Sequence, residues 1–239
     1  MSFHQFTDME HYFTYLTRHD AELERLADAL MIPVSRFFRN PVVFDLVFEQ
    51  CLPLLLDKKM EKKAGFRFWS AGCSRGEEAY SLAICGQELL KREQGNLLVN
   101  VFATDISEQS LKFARQGVYN DNVLYNIRYG WLRKYFHKRN HAFEIIPQLK
   151  QMVYFSRHDL LDPKKKVPTE SIFGAFDLVF CRNVLIYYEL AAQQRIISCL
   201  ENSLIPGGYL VLGESESLLA PFQKNFQKIY HGFSIYQKQ

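Results

Sequence analysis

The sequence predicts an α/β fold with a doubly wound, mostly parallel sheet. From residue 66 onward, strand-like and helix-like segments alternate, which is typical of parallel strands joined by helices. The apolar run 66–71 leads through a turn with a glycine at each end into a helical apolar pattern that begins at Glu77. Near the end of the chain, Gly207-Gly208 and a strand-like segment at 233–236 suggest an antiparallel hairpin at one edge of the sheet.

Composition limits the classes of function. The chain has 239 residues, of which 48% are hydrophobic and 23% charged, so it can bury a sizeable core and has the composition of a globular protein. A net charge of +3 gives no argument for nucleic-acid binding. Five cysteines without a C-x-x-C pair favour buried free thiols in a reducing compartment. No signal peptide and no apolar run of membrane-spanning length are visible, so we expect a cytoplasmic protein that is not inserted in a membrane.

Residues 1–40 are expected to form a short helical segment, followed by a main domain over 41–239. Asp8 could cap a first short helix and Asp20 a second, because aspartate side chains accept hydrogen bonds from the free N–H groups at helix starts.

A further helix is expected to begin at Pro41 and to continue to about Leu56, since asparagine followed by proline is a typical helix start. Arg39 lies just before that start. A cation in this position opposes the helix dipole, so we expect Arg39 to have another role, such as pairing with a carboxylate.

The turn from Gly72 to Gly76 predicts a ligand site. Ligands of open α/β sheets bind outside the carboxyl ends of the strands, and glycine lets the backbone approach them closely. The spacing is not that of the usual phosphate-binding loops. Glu77 and Glu78 suit the helix dipole but would repel a pyrophosphate, which favours a cationic ligand. From these residues alone, two ordinary first-turn glutamates are an equally good interpretation.

A second acidic position follows the next predicted strand, from Leu97 to Thr104. Asp105 ends that strand, where a carboxylate can accept hydrogen bonds from a ribose. Asp105 could instead cap the helix that starts near Glu108, although the neighbouring glycine turn favours the ribose. His158 could form a catalytic pair with Asp159, but no Ser or Cys nucleophile motif accompanies it, so a loop histidine is favoured.

The remaining elements complete the α/β alternation. Two short β-like runs, 142–147 and 151–155, suggest a hairpin on or beside the main sheet, within a small β-subdomain at about 138–157. A helix is expected at 128–136. A buried strand at 176–181 and a helix from about Glu189 to Leu204 come next, and another strand runs from Tyr209 to Gly213.

With these stretches in view, the chain resembles the CheR-type chemotaxis receptor methyltransferases. The most specific matches are Trp69-Ser70-Ala71-Gly72-Cys73-Ser74 and the run Cys181-Arg182-Asn183-Val184 with its following Ile186-Tyr187. Further matches, in the order of the family, are residues 34–41, 75–81, 103–106, 159–161, 207–208 and 213–216. The resemblance implies a Rossmann-like class I methyltransferase sheet and S-adenosylmethionine as cofactor. It also implies methyl-ester formation on glutamate side chains of bacterial chemoreceptors.

The resemblance also implies the site residues. It assigns Arg39 and Tyr187 to the reacting group and requires no metal. The residues that it assigns to the cofactor are Ser35, Arg39, Ala71, Gly72, Cys73, Glu78, Asp105, Ile106, Asp159, Leu160, Arg182 and Asn183. The implied partners are the cytoplasmic helical region of chemoreceptors and, at the β-subdomain of some members, a receptor carboxyl-terminal tail.

This chain departs from the family at Pro33 and Asp159, where asparagine is usual, and in its short amino-terminal region. Two alternatives to this function therefore stay open. In the first, the enzyme uses the same cofactor but methylates a different protein or a small carboxylic acid. In the second, the chain is a non-catalytic module that only binds S-adenosylmethionine. An oxidoreductase is disfavoured by the glycine spacing.

Overall fold

The computed structural model describes residues 8–19, 21–23, 25–26, 35–171 and 175–239, which fall into two compact units, Met1–Val34 and Ser35–Gln239. In the first unit, helix α1 (Met9–Leu16) begins after Asp8, whose side chain accepts a hydrogen bond from His11 N at 2.9 Å. The prediction that Asp8 caps this helix is therefore confirmed. The predicted cap Asp20 and the unusual Pro33 lie outside the described residues.

The second unit contains both sheets and a series of helices. In chain order, the helices are α2 (Pro41–Leu46), α3 (Leu52–Lys62), α4 (Glu77–Arg92), α5 (Glu108–Gln116), α6 (Tyr129–Tyr135), α7 (Pro147–Lys150), α8 (Leu190–Ser203) and α9 (Ala220–Gln223). The strands are β1 (Phe66–Ala71), β2 (Val99–Asp105), β3 (Val118–Asn120), β4 (Phe136–Arg139), β5 (Ala142–Ile145), β6 (Val153–Arg157), β7 (Phe176–Cys181), β8 (Leu204–Leu212), β9 (Phe226–Lys228) and β10 (Ile235–Lys238).

Helices α2 and α3 are joined by a π-helical turn, Val47–Cys51, so helical structure continues past the predicted end near Leu56. Pro41 lies in the first turn, as the sequence predicts. Asn40 precedes it with φ 57° and makes no capping hydrogen bond with its side chain. That side chain is used elsewhere, at the candidate site.

Among the described residues, seven strands form the main sheet in the order β6-β2-β1-β7-β8-β10-β9. The pairs from β6 to β8 are parallel, whereas β10 runs antiparallel to both β8 and β9. The predicted mostly parallel sheet with an antiparallel edge hairpin is confirmed. The order of the strands reverses between β2-β1 and β7, which opens a crevice at their carboxyl ends.

Alternate residues of the central strands face two separate apolar clusters. Phe66 and Phe68 of β1 belong to the cluster that includes Leu82 of α4, and Trp69 belongs to the cluster that includes Ile196 of α8. Because parallel strands are buried on both faces, helices on each side of the sheet are needed to cover it. The sheet is therefore doubly wound, and its strand ends are held rigidly.

The edge hairpin differs from the prediction in detail. Its strands are β9 and β10, and the last strand begins at Ile235 rather than at residue 233. Gly207-Gly208 does not form the hairpin turn but lies within β8, where the pairing with β7 shifts register. A Gly-Gly pair marks an irregular backbone in either place, so the motif alone does not distinguish a turn from a bulge.

A second, antiparallel sheet has the order β3-β5-β4. The predicted hairpin between residues 142–147 and 151–155 is wrong. The second run forms β6, which pairs in parallel with β2 at the edge of the main sheet. The true partners, β3 and β4, are short, and β4 exposes three of its four side chains, so neither has the apolar alternation that identifies a strand.

Candidate active site

The glycine turn lies between the ends of β1, β2 and β7. Gly72 N and Cys73 N donate hydrogen bonds to Thr104 O at 2.8 and 2.9 Å. Gly72 has φ +77°, and a Cβ atom on it would lie 2.4 Å from Cγ2 of Val184. Both the backbone conformation and the close approach therefore require glycine at position 72. Ala71, which precedes it, is fully buried at the end of β1.

Asp105 faces this turn. Its Oδ2 accepts a hydrogen bond from Ser74 N at 2.7 Å, and its Oδ1 accepts one from Ser107 N at 3.0 Å. Helix α5 is capped by Ser107, whose side chain accepts from Ser110 N. The alternative that Asp105 caps this helix is therefore wrong, because the serine two residues later occupies the cap.

The two first-turn glutamates of α4 differ in exposure. Glu77 is buried, and burial raises its pKa to about 7 against the opposing effects of a hydrogen bond with Ser35 and the charge of Arg75. The Glu78 side chain keeps 13% exposure. Neither is the freely solvated residue that an ordinary first turn would show.

Glu78 is the more accessible of the two and has specific partners. Its Oε1 accepts a hydrogen bond from Ser70 Oγ at 2.7 Å, and its Oε2 lies 3.7 Å from Nη1 of Arg182. Burial raises the pKa of Glu78, and the charge of Arg182 opposes that rise. An accessible carboxylate with fixed partners is suited to bind a cation at the start of the turn.

Residues 35–40, the Arg39 segment, pack along the same edge. Phe37 and Phe38 are buried in the core. Phe37 N donates to Val123 O at 3.1 Å, and Phe38 N donates to Ser81 Oγ at 3.0 Å. The two anchored phenylalanines fix the position of Arg39, whose charge contributes to the pKa values of Glu78 and Arg182.

Arg182, directly after β7, joins the Arg39 segment to the sheet. Its guanidinium donates to Arg39 O at 2.9 Å and to Asn40 Oδ1 at 2.7 Å. The side-chain amide of Asn40 donates in turn to Glu214 Oε2 at 2.7 Å. Arg182 is 5% exposed, and burial lowers its pKa despite the neighbouring carboxylate of Glu78. In this structure Arg182 therefore positions other site residues, in addition to the cofactor contact expected from its motif.

Residues 183–187, the Tyr187 loop, follow Arg182. Asn183 has φ 58°, a left-handed conformation that asparagine tolerates better than most residues. A single 3₁₀ turn, Leu185–Tyr187, ends the loop. Leu185 is buried, whereas Tyr187 is 78% exposed and so is accessible to a second molecule.

The segment after β6 lies beside Asp105, because His158 N donates to Asp105 O at 3.0 Å. Asp159 is exposed and its Oδ1 accepts from Leu161 N, while Leu160 is buried. Ile106, next to Asp105, is 40% exposed. These side chains offer an apolar surface and a carboxylate near the turn, which suits a heteroaromatic base.

His158 lies in the loop after β6, as the sequence predicts, but it is not a surface residue. Its side chain is buried, with its ring 5.8 Å from that of Trp69, and burial lowers its pKa. Neither ring nitrogen has a hydrogen-bond partner in the described part of the chain, so His158 and Asp159 do not form a catalytic pair. Neighbouring sequence positions point in different directions along an extended chain, which explains the separation.

Two further site residues carried no assignment from the sequence. Ser70 bonds Glu78, and Glu216 accepts hydrogen bonds from the backbone of the Tyr187 loop. Ser70 lies on the same face of β1 as Phe66 and Phe68, and a polar side chain in this apolar row was a usable signal. Among the described residues, no group of three or more His, Cys, Asp or Glu side chains could hold a metal ion. Nor does the described part of the chain include a helix long and apolar enough to cross a membrane.

Comparison with known proteins identifies the family. The family model for the CheR methyltransferase, SAM binding domain, matches residues 33–232. The chain is 33% identical over 224 residues to the chemotaxis protein methyltransferase of Listeria innocua, covering 94% of this chain and 80% of the relative. It is 33% identical over 217 residues to that of Escherichia coli, covering 88% and 71%.

An uncharacterised 104.1 kDa protein of Rhodobacter capsulatus is also 33% identical over 220 residues, and the match spans 92% of this chain but 22% of that protein. The domain therefore also occurs within a much longer polypeptide. The matched region includes the glycine turn, Asp105, the Arg39 segment and the Tyr187 loop. The chain belongs to the CheR methyltransferase family and is a methyltransferase that depends on S-adenosylmethionine.

Proposed function

We propose that this protein transfers the methyl group of S-adenosylmethionine to glutamate side chains of bacterial chemoreceptors and so forms glutamate methyl esters. The observation that carries the proposal is the position of Arg39. The Arg39 segment is anchored by Arg182, which also contacts Glu78 of the cofactor turn. A guanidinium carried on a segment that is anchored beside the cofactor site is suited to orient an incoming carboxylate.

The candidate site offers the hydrogen-bond acceptors that S-adenosylmethionine would need. Bound there, the cofactor supplies a methyl group on a positively charged sulfur. We assign Glu78 to its ammonium group, Asp105 to its ribose, and Ile106, Asp159 and Leu160 to its adenine. Ser35, Cys73 and Asn183 complete the expected contacts. The two carboxylates and the glycine that cannot accept a Cβ fit a cationic nucleoside and disfavour a pyrophosphate.

The chemistry requires positioning rather than proton transfer. Glutamate has a reference pKa of about 4.3, so the acceptor is already ionised at neutral pH and needs no general base. Arg39 binds one carboxylate oxygen and leaves the other to attack, and Tyr187 donates a hydrogen bond beside it. Excluding water from the carboxylate and aligning it with the methyl group provide the acceleration.

The choice of acceptor rests on the relatives, which are named chemotaxis protein methyltransferases. We propose the cytoplasmic helical region of chemoreceptors as the partner, and hence the cytoplasm as the location. We further propose that the small sheet β3-β5-β4 docks a receptor tail, because its β4 edge strand can accept another strand.

The test is methyl transfer from radiolabelled S-adenosylmethionine to purified receptor fragments. We expect labelled protein that releases methanol in mild base, since carboxyl methyl esters are base-labile. A base-stable product would contradict ester formation. Label on a small carboxylic acid but on no receptor would move the acceptor to the first alternative, and binding without turnover on any acceptor would favour a non-catalytic module.

A further inference from the structure

Glu216 lies just after β8 and is 5% exposed, so its carboxylate is almost fully removed from water. Its Oε1 accepts hydrogen bonds from Val184 N at 2.9 Å, Leu185 N at 2.8 Å and Ile186 N at 3.4 Å. Three successive backbone N–H groups of the Tyr187 loop therefore converge on a single oxygen.

The second oxygen is equally occupied. Glu216 Oε2 accepts from Asn183 N at 2.9 Å and from Gly213 N at 2.6 Å. A buried carboxylate with five N–H donors is strongly bound to them, because hydrogen bonds to an ionised acceptor are about twice as strong as neutral ones. Four of the five donors belong to the Tyr187 loop.

The residue that carries this carboxylate is itself fixed. Glu216 N donates to Gly213 O at 3.0 Å, and Glu216 O accepts from Ser234 Oγ at 2.6 Å. A Cβ on Gly213 would lie 2.5 Å from Oε2 of Glu216 and 2.8 Å from Asn183 N. The glycine at position 213 therefore makes room for the contact between the carboxylate and the loop.

We propose that Glu216 is a positioning residue for methyl transfer, which acts by fixing the backbone of the Tyr187 loop. The proposal rests on the proposed function of Asn183 at the cofactor and Tyr187 at the acceptor. Tyr187 is 78% exposed and has little packing of its own to orient it. Its backbone position depends on the preceding residues, since Tyr187 N donates to Val184 O at 3.2 Å.

Glu216→Gln is the informative substitution because it keeps the shape of the side chain. If the amide nitrogen replaces Oε1, the N–H groups of Val184, Leu185 and Ile186 face another donor. If the amide nitrogen replaces Oε2, the N–H groups of Asn183 and Gly213 face a donor instead of an acceptor. In both orientations part of the loop loses its acceptor, and an unpaired buried donor is costly.

The matched control is Glu88→Gln. Glu88 also accepts several hydrogen bonds, from Trp131 Nε1 at 3.2 Å, from Lys134 Nζ at 2.5 Å and from the Tyr135 hydroxyl. It lies about three helical turns beyond the start of α4, or roughly 15 Å from the glycine turn. Weakening these hydrogen bonds in Glu88→Gln should destabilise the protein without displacing the Tyr187 loop.

Native-state hydrogen exchange tests the structural half of the proposal and needs no acceptor. In the unmodified protein, we expect the amides of residues 183–186 to be protected although Ile186 is exposed. In Glu216→Gln, exchange there should be at least tenfold faster, whereas Glu88→Gln should speed exchange only around α6. Unprotected amides in the unmodified protein, or unchanged exchange in Glu216→Gln, would overturn the proposal.

Steady-state kinetics test whether the fixed loop contributes to methyl transfer. A misplacement of about 1 Å can cost about 10²-fold in rate, so we expect kcat of Glu216→Gln to fall about 10- to 100-fold at saturating cofactor. If Glu216 acts through Tyr187, the double variant with Tyr187→Phe should be little slower than the worse single variant. Independent, multiplying effects or an unchanged kcat would contradict this role.

Gly213→Ala provides a second route if Glu216→Gln folds poorly. It keeps the charge but displaces the carboxylate, and we expect the same faster exchange and the same loss of kcat. If no receptor is methylated at all, the exchange result still decides whether Glu216 fixes the loop, and only the proposed acceptor is lost.

Discussion

Replacing Gly72 with alanine should damage both stability and cofactor binding. The backbone conformation, with φ +77°, costs a non-glycine residue about 1–3 kcal/mol. The added Cβ would lie 2.4 Å from Cγ2 of Val184, whereas carbon atoms pack at about 3.5–4.0 Å, so Val184 must move by about 1 Å or more. Overpacking of this kind costs about a further 1–3 kcal/mol.

The two effects together predict a loss of about 2–6 kcal/mol in the free energy of unfolding, to be measured by urea denaturation. Val184 adjoins Asn183, so the displacement should also weaken binding of S-adenosylhomocysteine by about tenfold or more in calorimetry. In the double variant Gly72→Ala and Val184→Ala, the clash with the Val184 side chain should be relieved, while the cost of the positive φ at residue 72 remains. About half of the lost stability should therefore return.

Gly130→Ala is the matched control. Gly130 lies in α6 and does not need a positive φ, and a Cβ added to it would have no atom of the described residues within 4 Å. Alanine there should stabilise the protein by about 0.4–1 kcal/mol. The reasoning fails if Gly72→Ala is as stable as the unmodified protein, or if Val184→Ala recovers nothing.

Three further substitutions test the site. Arg39→Ala should lower kcat about 100-fold or more, by analogy with the loss of one positioned donor, but should change S-adenosylhomocysteine affinity little. The exposed Arg195→Ala, on α8, is its control, and equal kcat in both variants would remove Arg39 from the mechanism. Asp105→Asn should weaken cofactor binding about tenfold in calorimetry, because the N–H of either Ser74 or Ser107 then faces an amide nitrogen. Unchanged affinity would refute the assignment of Asp105 to the ribose. Burial raises the pKa of Glu77 to about 7, so the folded state binds more protons than the unfolded state between about pH 4.5 and 7, and stability should fall as pH rises through this window. Glu77→Gln should remove that fall in a series of denaturation curves, and a parallel pH dependence in both proteins would contradict it.

The strongly patterned parts of the fold were predictable from the sequence. The turn from Gly72 to Gly76 and the acid at position 105 predict a ligand site, and the structure brings them together, because a strand, a glycine turn and a helix start fit together in few ways. The structure adds why each is needed: Val184 approaches Gly72, and Asp105 binds the turn through Ser74 N.

Other features depend on long-range contacts that periodicity does not encode. Residues 151–155 have strand character, but nothing local distinguishes pairing with β5 from pairing with β2. His158 was correctly placed in a loop, but its burial could not be predicted because it packs against Trp69 of a distant strand. Glu216 could be recognised as part of a motif, yet its five N–H donors come from two loops that meet only in the folded protein.

The hydrogen bond from Arg182 to the Arg39 segment has an evolutionary consequence. Arg182 recognises the carbonyl oxygen of residue 39, an atom that every amino acid has, and the amide of Asn40. The side chain at position 39 can therefore change without loosening its attachment to the sheet. Under the proposed role of Arg39, exchanging this one side chain would alter the contact with the acceptor and leave the anchoring of the segment intact.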